Sequence, residues 1–393
     1  MQSKPLKEGS YRAVLTLNKA EGIELPFNFL LTYERKKPIL LIRNADERIR
    51  VDEISQKGDS FIIRMPVFDT EFKVKRRGDT LEGYWQNNYR KEKNKIPFKA
   101  VWGDDRRFLF ETGKSDPVFE GKWQVTFSPN SDAQSKAIGL FHHVEQTDLV
   151  TGTFLTETGD YRYLEGVKHG NRLWLSCFDG SHAFLFTAIH ENGQLTNGKF
   201  YSGAHWQESW TGIRNETFQL SDPDEITLVK DKSIPLQFTF PNLEGKKISL
   251  SDERYKNKAV IVQIMGSWCP NCMDESAYFS ELYKQYRPQG LEIIALAFEK
   301  TTEFDKAVKQ VSRLKSRFGI DYAILLTLQS GKDKAGEVLP MLNQISSFPT
   351  TLFLNKEHQI IKVHTGFSGP ATGADYRLFK ERTESLIQQL LKN

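Results

Sequence analysis

Two cysteines three positions apart, Cys269 and Cys272, lie where a strand-like segment runs into a helix-like one, and that junction constrains the fold more than any other feature. Ala259-Val260-Ile261-Val262-Gln263-Ile264-Met265 is nearly all apolar, as a strand covered on both faces requires. After the cysteines, Phe279, Leu282, Tyr283 and Tyr286 recur at i, i+3, i+4, i+7, the stripe of an amphipathic helix, and Pro288 and Gly290 end it. The junction puts Cys269 at the helix N-terminus, where free N–H groups and the positive dipole end stabilise a thiolate. Disulfide exchange needs such a thiolate, a second thiol within reach and a surface that accepts a substrate chain. On this reading Cys269 and Cys272 form a redox-active disulfide. Cys269 is exposed and attacks; Cys272 lies one turn inward and resolves the mixed disulfide. A structural zinc site is the main rival, but it needs two further ligands at knuckle-like spacing. No second cysteine pair exists, the nearest downstream histidines are His358 and His364, and no metal is assigned. Two structural cysteines brought close by chance are the other rival.

Beyond the junction, strand and helix patterns alternate. Residues 291–298 read as a strand, roughly 302–318 as helix, 322–326 as a strand, and 350–354 with 359–363 as a hairpin around Asn355-Lys356-Glu357-His358. A final helix carries Leu378, Leu386, Ile387, Leu390 and Leu391. Such alternation gives an α/β domain with a mixed sheet. Before residues 221–235 the character differs. Short alternating segments such as Tyr11-Arg12-Ala13-Val14-Leu15-Thr16-Leu17 and Trp123-Gln124-Val125-Thr126-Phe127 recur, with one face buried and one wet. Turn signals such as Arg77-Gly78-Asp79 and Glu191-Asn192-Gly193 separate them, and no long helix is evident. The region also repeats: Gly9-Ser10-Tyr11 pairs with Gly121-Lys122-Trp123, Pro66-Val67-Phe68-Asp69 with Ser176-Cys177-Phe178-Asp179, and Gly78-Asp79-Thr80-Leu81-Glu82-Gly83 with Gly193-Gln194-Leu195-Thr196-Asn197-Gly198. The offset stays near about 112 residues, which marks an internal repeat. The expected architecture is multidomain: an all-β domain at 1–221, built from meanders at about 1–112 and 113–221 that close together into one barrel or pack as a sandwich; a linker at 222–231; and an α/β domain at 232–393.

Residues 232–393 resemble the TlpA/ResA-like branch of the thioredoxin superfamily. Gly266-Ser267-Trp268-Cys269-Pro270-Asn271-Cys272 matches its G-x-W-C-x-x-C, Ser347-Phe348-Pro349-Thr350-Thr351 looks like its cis-proline loop, and Phe238 to Leu250 looks like its N-terminal hairpin. The resemblance implies a thioredoxin fold and a cis bond before Pro349, with Pro349 against the active-site sulfurs and the backbone around Phe348 pairing with an extended substrate. It assigns Glu275 to the acidic position after the motif, where a partly buried carboxyl holds a raised pKa and shuttles protons; the alternative is a first-turn glutamate favoured by the helix dipole. Ala277 stands where the family usually has proline. Trp268 shields the sulfurs and contacts substrate, or packs in the core.

Composition closes off other classes. The chain has 393 residues, 39% hydrophobic and 26% charged, with a net charge of +4 from intermixed acids and bases, which argues against a nucleic-acid partner. The densest basic run, Arg90-Lys91-Glu92-Lys93-Asn94-Lys95, reads as a solvated loop. No apolar stretch approaches the roughly 18–20 residues needed to span a bilayer, and Met1-Gln2-Ser3-Lys4-Pro5 lacks the apolar core of a signal peptide. Cys177 reads as a buried free thiol. His142, His143, His182, His190 and His205 show no metal-enforcing spacing, and Trp85, Trp174, Trp206 and Trp210 are expected to fill the barrel.

The expected activity is a protein thiol–disulfide oxidoreductase that reduces or isomerises protein disulfides and needs no cofactor. From the resemblance it works in the periplasm or on the outer face of a bacterial membrane, recharged by a membrane electron donor; oligomeric state is not assigned. One rival is a peroxiredoxin-type thiol peroxidase, which wants a threonine three residues before the attacking cysteine, where this chain has Gly266. The other is a redox-switched binder of a ligand or partner, with the β-domain as the binding module.

Overall fold

The computed structural model describes residues 5–110 and 118–392. The N-terminal residues 1–4 and the repeat boundary near 112–113 lie outside that range. Two compact units form: Met1–Leu155 with Tyr161–Gln219, and Thr156–Asp160 with Leu220–Asn393.

The described residues of the first unit contain strands and no helix. Each repeat builds its own antiparallel sheet. In the first, Gly9–Asn18 pairs with Ile23–Glu34 on one side and with the last strand of the repeat, Lys95–Trp102, on the other. In the second, Gly121–Phe127 likewise pairs with Ser135–His143 and with the last strand, Trp206–Arg214. The second sheet closes through pairing of Ser135–His143 with Leu149–Thr156, while the first stays open between Glu47–Val51 and Glu53–Lys57. The two meanders therefore do not close together into one barrel. In each, the last strand returns to the first, but only in the second repeat does pairing consume both edges of the sheet. The repeat is visible in atomic detail: Tyr11 Oη donates to the Lys7 carbonyl four residues back, and Trp123 Nε1 donates to the Phe119 carbonyl four residues back, both at 2.9 Å.

Alternation sets the barrel fillings. On Lys95–Trp102 every second residue from Ile96 to Ala100 is buried. Trp85 and Trp210 are buried, but Trp206 is 54% exposed. It opens its strand at the hairpin turn opposite Ser202, beyond the packed wall. Trp174 points outward because Leu173 and Leu175 face in, and it packs on Phe110, with centroids 4.3 Å apart. Cys177 is a buried free cysteine, its thiol pushed well up by burial.

The second unit has a five-stranded mixed sheet in the order Ala323–Leu326, Leu291–Ala297, Ala259–Met265, Thr350–Leu354, Ile360–Thr365. The first three strands are parallel and the last two antiparallel to their neighbours. Helices α1 (Pro270–Tyr286), α2 (Phe304–Phe318), α3 (Lys332–Val338) and α4 (Ala374–Lys392) complete a thioredoxin fold. All seven residues of Ala259–Met265 are buried, which is why that strand has no polar alternation. The short hairpin pairs Thr239–Pro241 with Lys247–Ser249. Helix α4 buries Phe379, Thr383, Ile387 and Leu390, while Leu378 is exposed, one position out of phase with the expected stripe.

Residues 222–231 are not a free linker. Asp224 pairs with His364 Nδ1 at 2.7 Å and Lys362 Nζ at 2.5 Å, Thr227 shares a hydroxyl hydrogen bond with Thr365, and Val229 bridges Leu342. Their polar composition suggests a linker, but those groups are used as partners for the last strand of the sheet.

Candidate active site

The strand Ala259–Met265 ends at Gly266, and the chain there must double back. A Cβ on Gly266 would lie 2.3 Å from the Trp268 indole nitrogen, so glycine is what lets the indole fold over the strand end. Trp268 Nε1 donates to the Phe298 carbonyl at 3.0 Å, and Lys300 Nζ lies 3.7 Å from the Trp268 ring centroid.

Cys269 is the N-cap of α1, in extended conformation, and its sulfur accepts the Cys272 N–H at 3.2 Å. A sulfur thus occupies the place usually taken by a capping oxygen, in the field of the helix N-terminus. Pro270 follows at the first helical position, where a missing N–H costs least. Cys269 and Cys272 are disulfide-bonded, with Cα atoms 5.2 Å apart. Cys272 is fully buried and Cys269 is 7% exposed. The attacking position is therefore far less open than expected: Trp268 flanks it in sequence and the loop before Thr350–Leu354 packs close by, with the Phe348 carbonyl 3.5 Å from its sulfur. Cys269 nevertheless remains the more accessible of the two.

The Phe348–Pro349 bond is cis. The Phe348 ring stands edge-on to Trp268 at 5.7 Å and stacks on Phe298 at 5.8 Å. One cluster thus brings together Trp268, Cys269, Cys272, Phe348 and Pro349.

Glu275 lies one turn beyond Cys272, at i+3 on the same side of α1. It is fully buried. Gln263 Nε2 donates to its Oε2 at 2.8 Å, and Thr351 Oγ1 donates to its Oε1 at 2.9 Å. Gln263 and Thr351 are direct cross-strand partners on the two central strands, so the sheet presents both donors at one point. Burial pushes the carboxyl up to about 8, against the lowering effect of those two hydrogen bonds. Helix α1 runs without a break through Ala277.

A second buried carboxyl at this end of the sheet escapes sequence reasoning. Glu299 follows the strand Leu291–Ala297 and accepts the Ser267 N–H at 2.8 Å and the Ser267 hydroxyl at 2.7 Å. It is 1% exposed, and burial pushes it up to about 7, with the two Ser267 bonds and Lys300 acting against that. Its one signal in the sequence is position: an acid directly after a buried parallel strand, at the carboxyl edge where α/β sheets place their chemistry.

Residues 231–363 match the AhpC/TSA family. The thiol-disulfide oxidoreductase ResA of Geobacillus thermodenitrificans (strain NG80-2) is 30% identical over 142 residues, covering 36% of this chain and 73% of that protein. The ResA of Bacillus thuringiensis subsp. konkukian (strain 97-27) is 34% identical over 125 residues, covering 32% of this chain; there the chain spans 64% of the relative's length. A thiol:disulfide interchange protein of the thioredoxin family from Chlorobium tepidum TLS is 18% identical, with 40% of this chain and 94% of that chain covered and a TM-score of 0.30. Through its C-terminal part, the chain belongs to the ResA family of thiol-disulfide oxidoreductases.

Proposed function

We propose that the chain reduces or isomerises protein disulfides through the Cys269–Cys272 pair. The observation that carries this reading is Cys269 as the α1 N-cap, its sulfur held by the Cys272 N–H beside the Phe348–Pro349 loop. In the reduced protein the Cys269 thiolate attacks one sulfur of a substrate disulfide, and the other leaves as a thiolate. Cys272 then attacks Cys269, releases the second substrate thiolate and closes the disulfide. Two electrons pass to the substrate, and an external dithiol donor returns them.

Glu275 serves as the proton store. Held neutral around pH 7 by burial, it exchanges a proton with Cys272 as that sulfur alternates between thiol and disulfide. Trp268 and Phe348 form the apolar wall against which the substrate chain rests, and the backbone beside Pro349 pairs with it. The working compartment is the cell envelope, and the donor is membrane-bound, as for ResA-like proteins. No helix among the described residues is long and apolar enough to cross a membrane. A peroxidase reading is disfavoured by Gly266, since any Cβ there meets the Trp268 indole and no threonine hydroxyl can be placed.

The test is a cysteine pair of variants. Cys269→Ser loses insulin reduction, while Cys272→Ser accumulates mixed disulfides, because attack succeeds and resolution does not. Alkylation of the reduced protein labels Cys269 first. Preferential labelling of Cys272 or Cys177 sinks the role assignment.

A further inference from the structure

Five residues of the second unit come from far away in sequence. The chain leaves the first unit after Leu155, contributes Thr156–Asp160 to the second and returns at Tyr161. This segment lies outside residues 231–363, the part that matches the AhpC/TSA family. It meets three places: the first turn of α1, the loop before Pro349 and the loop after the last strand. Asn271, inside the Cys269–Cys272 motif, donates from Nδ2 to the Asp160 carbonyl at 3.3 Å. Ser347, two residues before Pro349, donates from Oγ to the Thr158 carbonyl at 2.9 Å. The Gly369 N–H, just past the last strand, donates to Asp160 Oδ2 at 2.5 Å.

Two glycines show how closely the segment is seated. Gly159, at φ +144°, has no room for a side chain, since a Cβ would lie 1.9 Å from Asn271 Nδ2. Gly366, at φ +80°, faces Thr158 so closely that a Cβ would lie 2.8 Å from its carbonyl carbon. Gly366 in turn donates its N–H to the Pro349 carbonyl at 2.9 Å, which ties the segment's seat to the cis-proline loop. Asp160 is the buried anchor at 9% exposure, while Glu157 and Thr158 are exposed.

A segment in that place bounds the surface beside the sulfurs on the Asn271 and Ser347 side. A disulfide carried on a small molecule needs little of that surface. A disulfide within a folded chain must bring its flanking backbone across it. We infer that Thr156–Asp160 is a substrate-selecting element, which narrows the range of protein disulfides accepted at the Cys269–Cys272 site by disfavouring those inside folded chains relative to small, exposed ones. Selection of this kind is a difference between two substrates, obtained by obstructing one. The inference rests on the dithiol function proposed above.

The experiment uses the full chain with dithiothreitol as reductant, and glutathione disulfide and insulin as the two substrates. Asp160→Ala removes the anchor to the Gly369 N–H, and Gly159→Ala forces the segment off Asn271. Each raises kcat/KM for insulin by roughly fivefold, mainly through KM, and leaves glutathione disulfide within about twofold. Asp160→Asn keeps an acceptor for Gly369 and retains the wild-type ratio. An insulin-to-glutathione ratio unmoved in both loosened variants, or equal losses on both substrates, overturns the inference and leaves the segment a structural brace. Lack of exchange with either disulfide by the wild-type chain overturns the dithiol reading itself, and the inference with it.

Discussion

Two buried clusters, one in each unit, treat their carboxylates oppositely. In the first unit, Glu165 meets Arg43 at 3.1 Å and Arg107 at 3.3 Å, and Arg162 reaches both Glu47 and Asp179. Burial alone would raise the Asp179 carboxyl, yet His182 and Arg162 outweigh it and hold the group below the usual carboxylate range. In the second unit, Glu275 and Glu299 are bound by amide, hydroxyl and backbone N–H donors, all neutral, and burial wins. A buried acid with an arginine stays charged and serves structure, whereas one with neutral donors titrates close to working pH. Only the second kind can hold or release a proton during turnover.

The largest effect expected from this contrast falls in the first unit. Arg162→Ala leaves Glu47 and Asp179 without their shared cation. Breaking a buried pair from one side costs about 3–5 kcal/mol, because the stranded charge is the penalty. Urea unfolding of the variant reads it, and a loss below about 1 kcal/mol would mean that water already solvates this cluster.

In the second unit the comparison predicts pH dependence instead. Glu275 has an ordinary value of 4.5 and is raised to about 8 when folded. The folded state thus binds the proton more tightly than the unfolded one. The stability it contributes is complete below about pH 4.5 and is lost as pH rises through about 8. Between pH 5 and 7 the loss is roughly 2–3 kcal/mol. Glu275→Gln keeps the shape and removes that slope; denaturant midpoints of the oxidised protein across this range measure both. Parallel slopes for variant and wild type would return Glu275 to the role of a dipole-favoured helix residue. The same variant also slows the resolving step, and above about pH 8, where the wild-type carboxyl is ionised, it eases Cys269 ionisation by removing a like charge.

These two carboxylates also show where sequence reasoning reaches and where it stops. Glu275 was legible through the family resemblance, which marks the acidic position after the motif, six residues from Cys269 on one helix. Glu299 was not, because Phe298-Glu299-Lys300-Thr301 reads as an ordinary polar exit from a strand. Its partner Ser267 is 32 residues away and is reached only across two parallel strands. The same holds for Thr156–Asp160. Thr-Glu-Thr-Gly-Asp is a plain turn sequence, and its contact with Ser347 spans 189 positions. In the first unit the repeat was readable from matched glycine and aromatic positions. Which edges pair was not, since the return of Trp206–Arg214 to Gly121–Phe127 is set by long-range register.

The smallest effect concerns Ser267, and it separates the two carboxylates of the second unit from each other. Ser267 supplies both of the Glu299 hydrogen bonds, one from its backbone and one from its hydroxyl. Ser267→Ala removes only the hydroxyl, at a cost of about 1 kcal/mol. A hydroxyl donor favours the ionised carboxylate, so its loss raises the Glu299 pKa above its value of about 7. Trp268 lies between Ser267 and Cys269, with its indole N–H on the Phe298 carbonyl next to Glu299, so that resonance should report the titration. The expected outcome is a pH-dependent indole shift centred near about 7 in the wild type, displaced upward in Ser267→Ala and absent in Glu299→Gln. A curve that does not move in Ser267→Ala, or one that persists in Glu299→Gln, would assign the titration to another group. Glu299 would then be a structural pin for the Gly266-Ser267-Trp268 turn, and Glu275 alone would stand as the proton store.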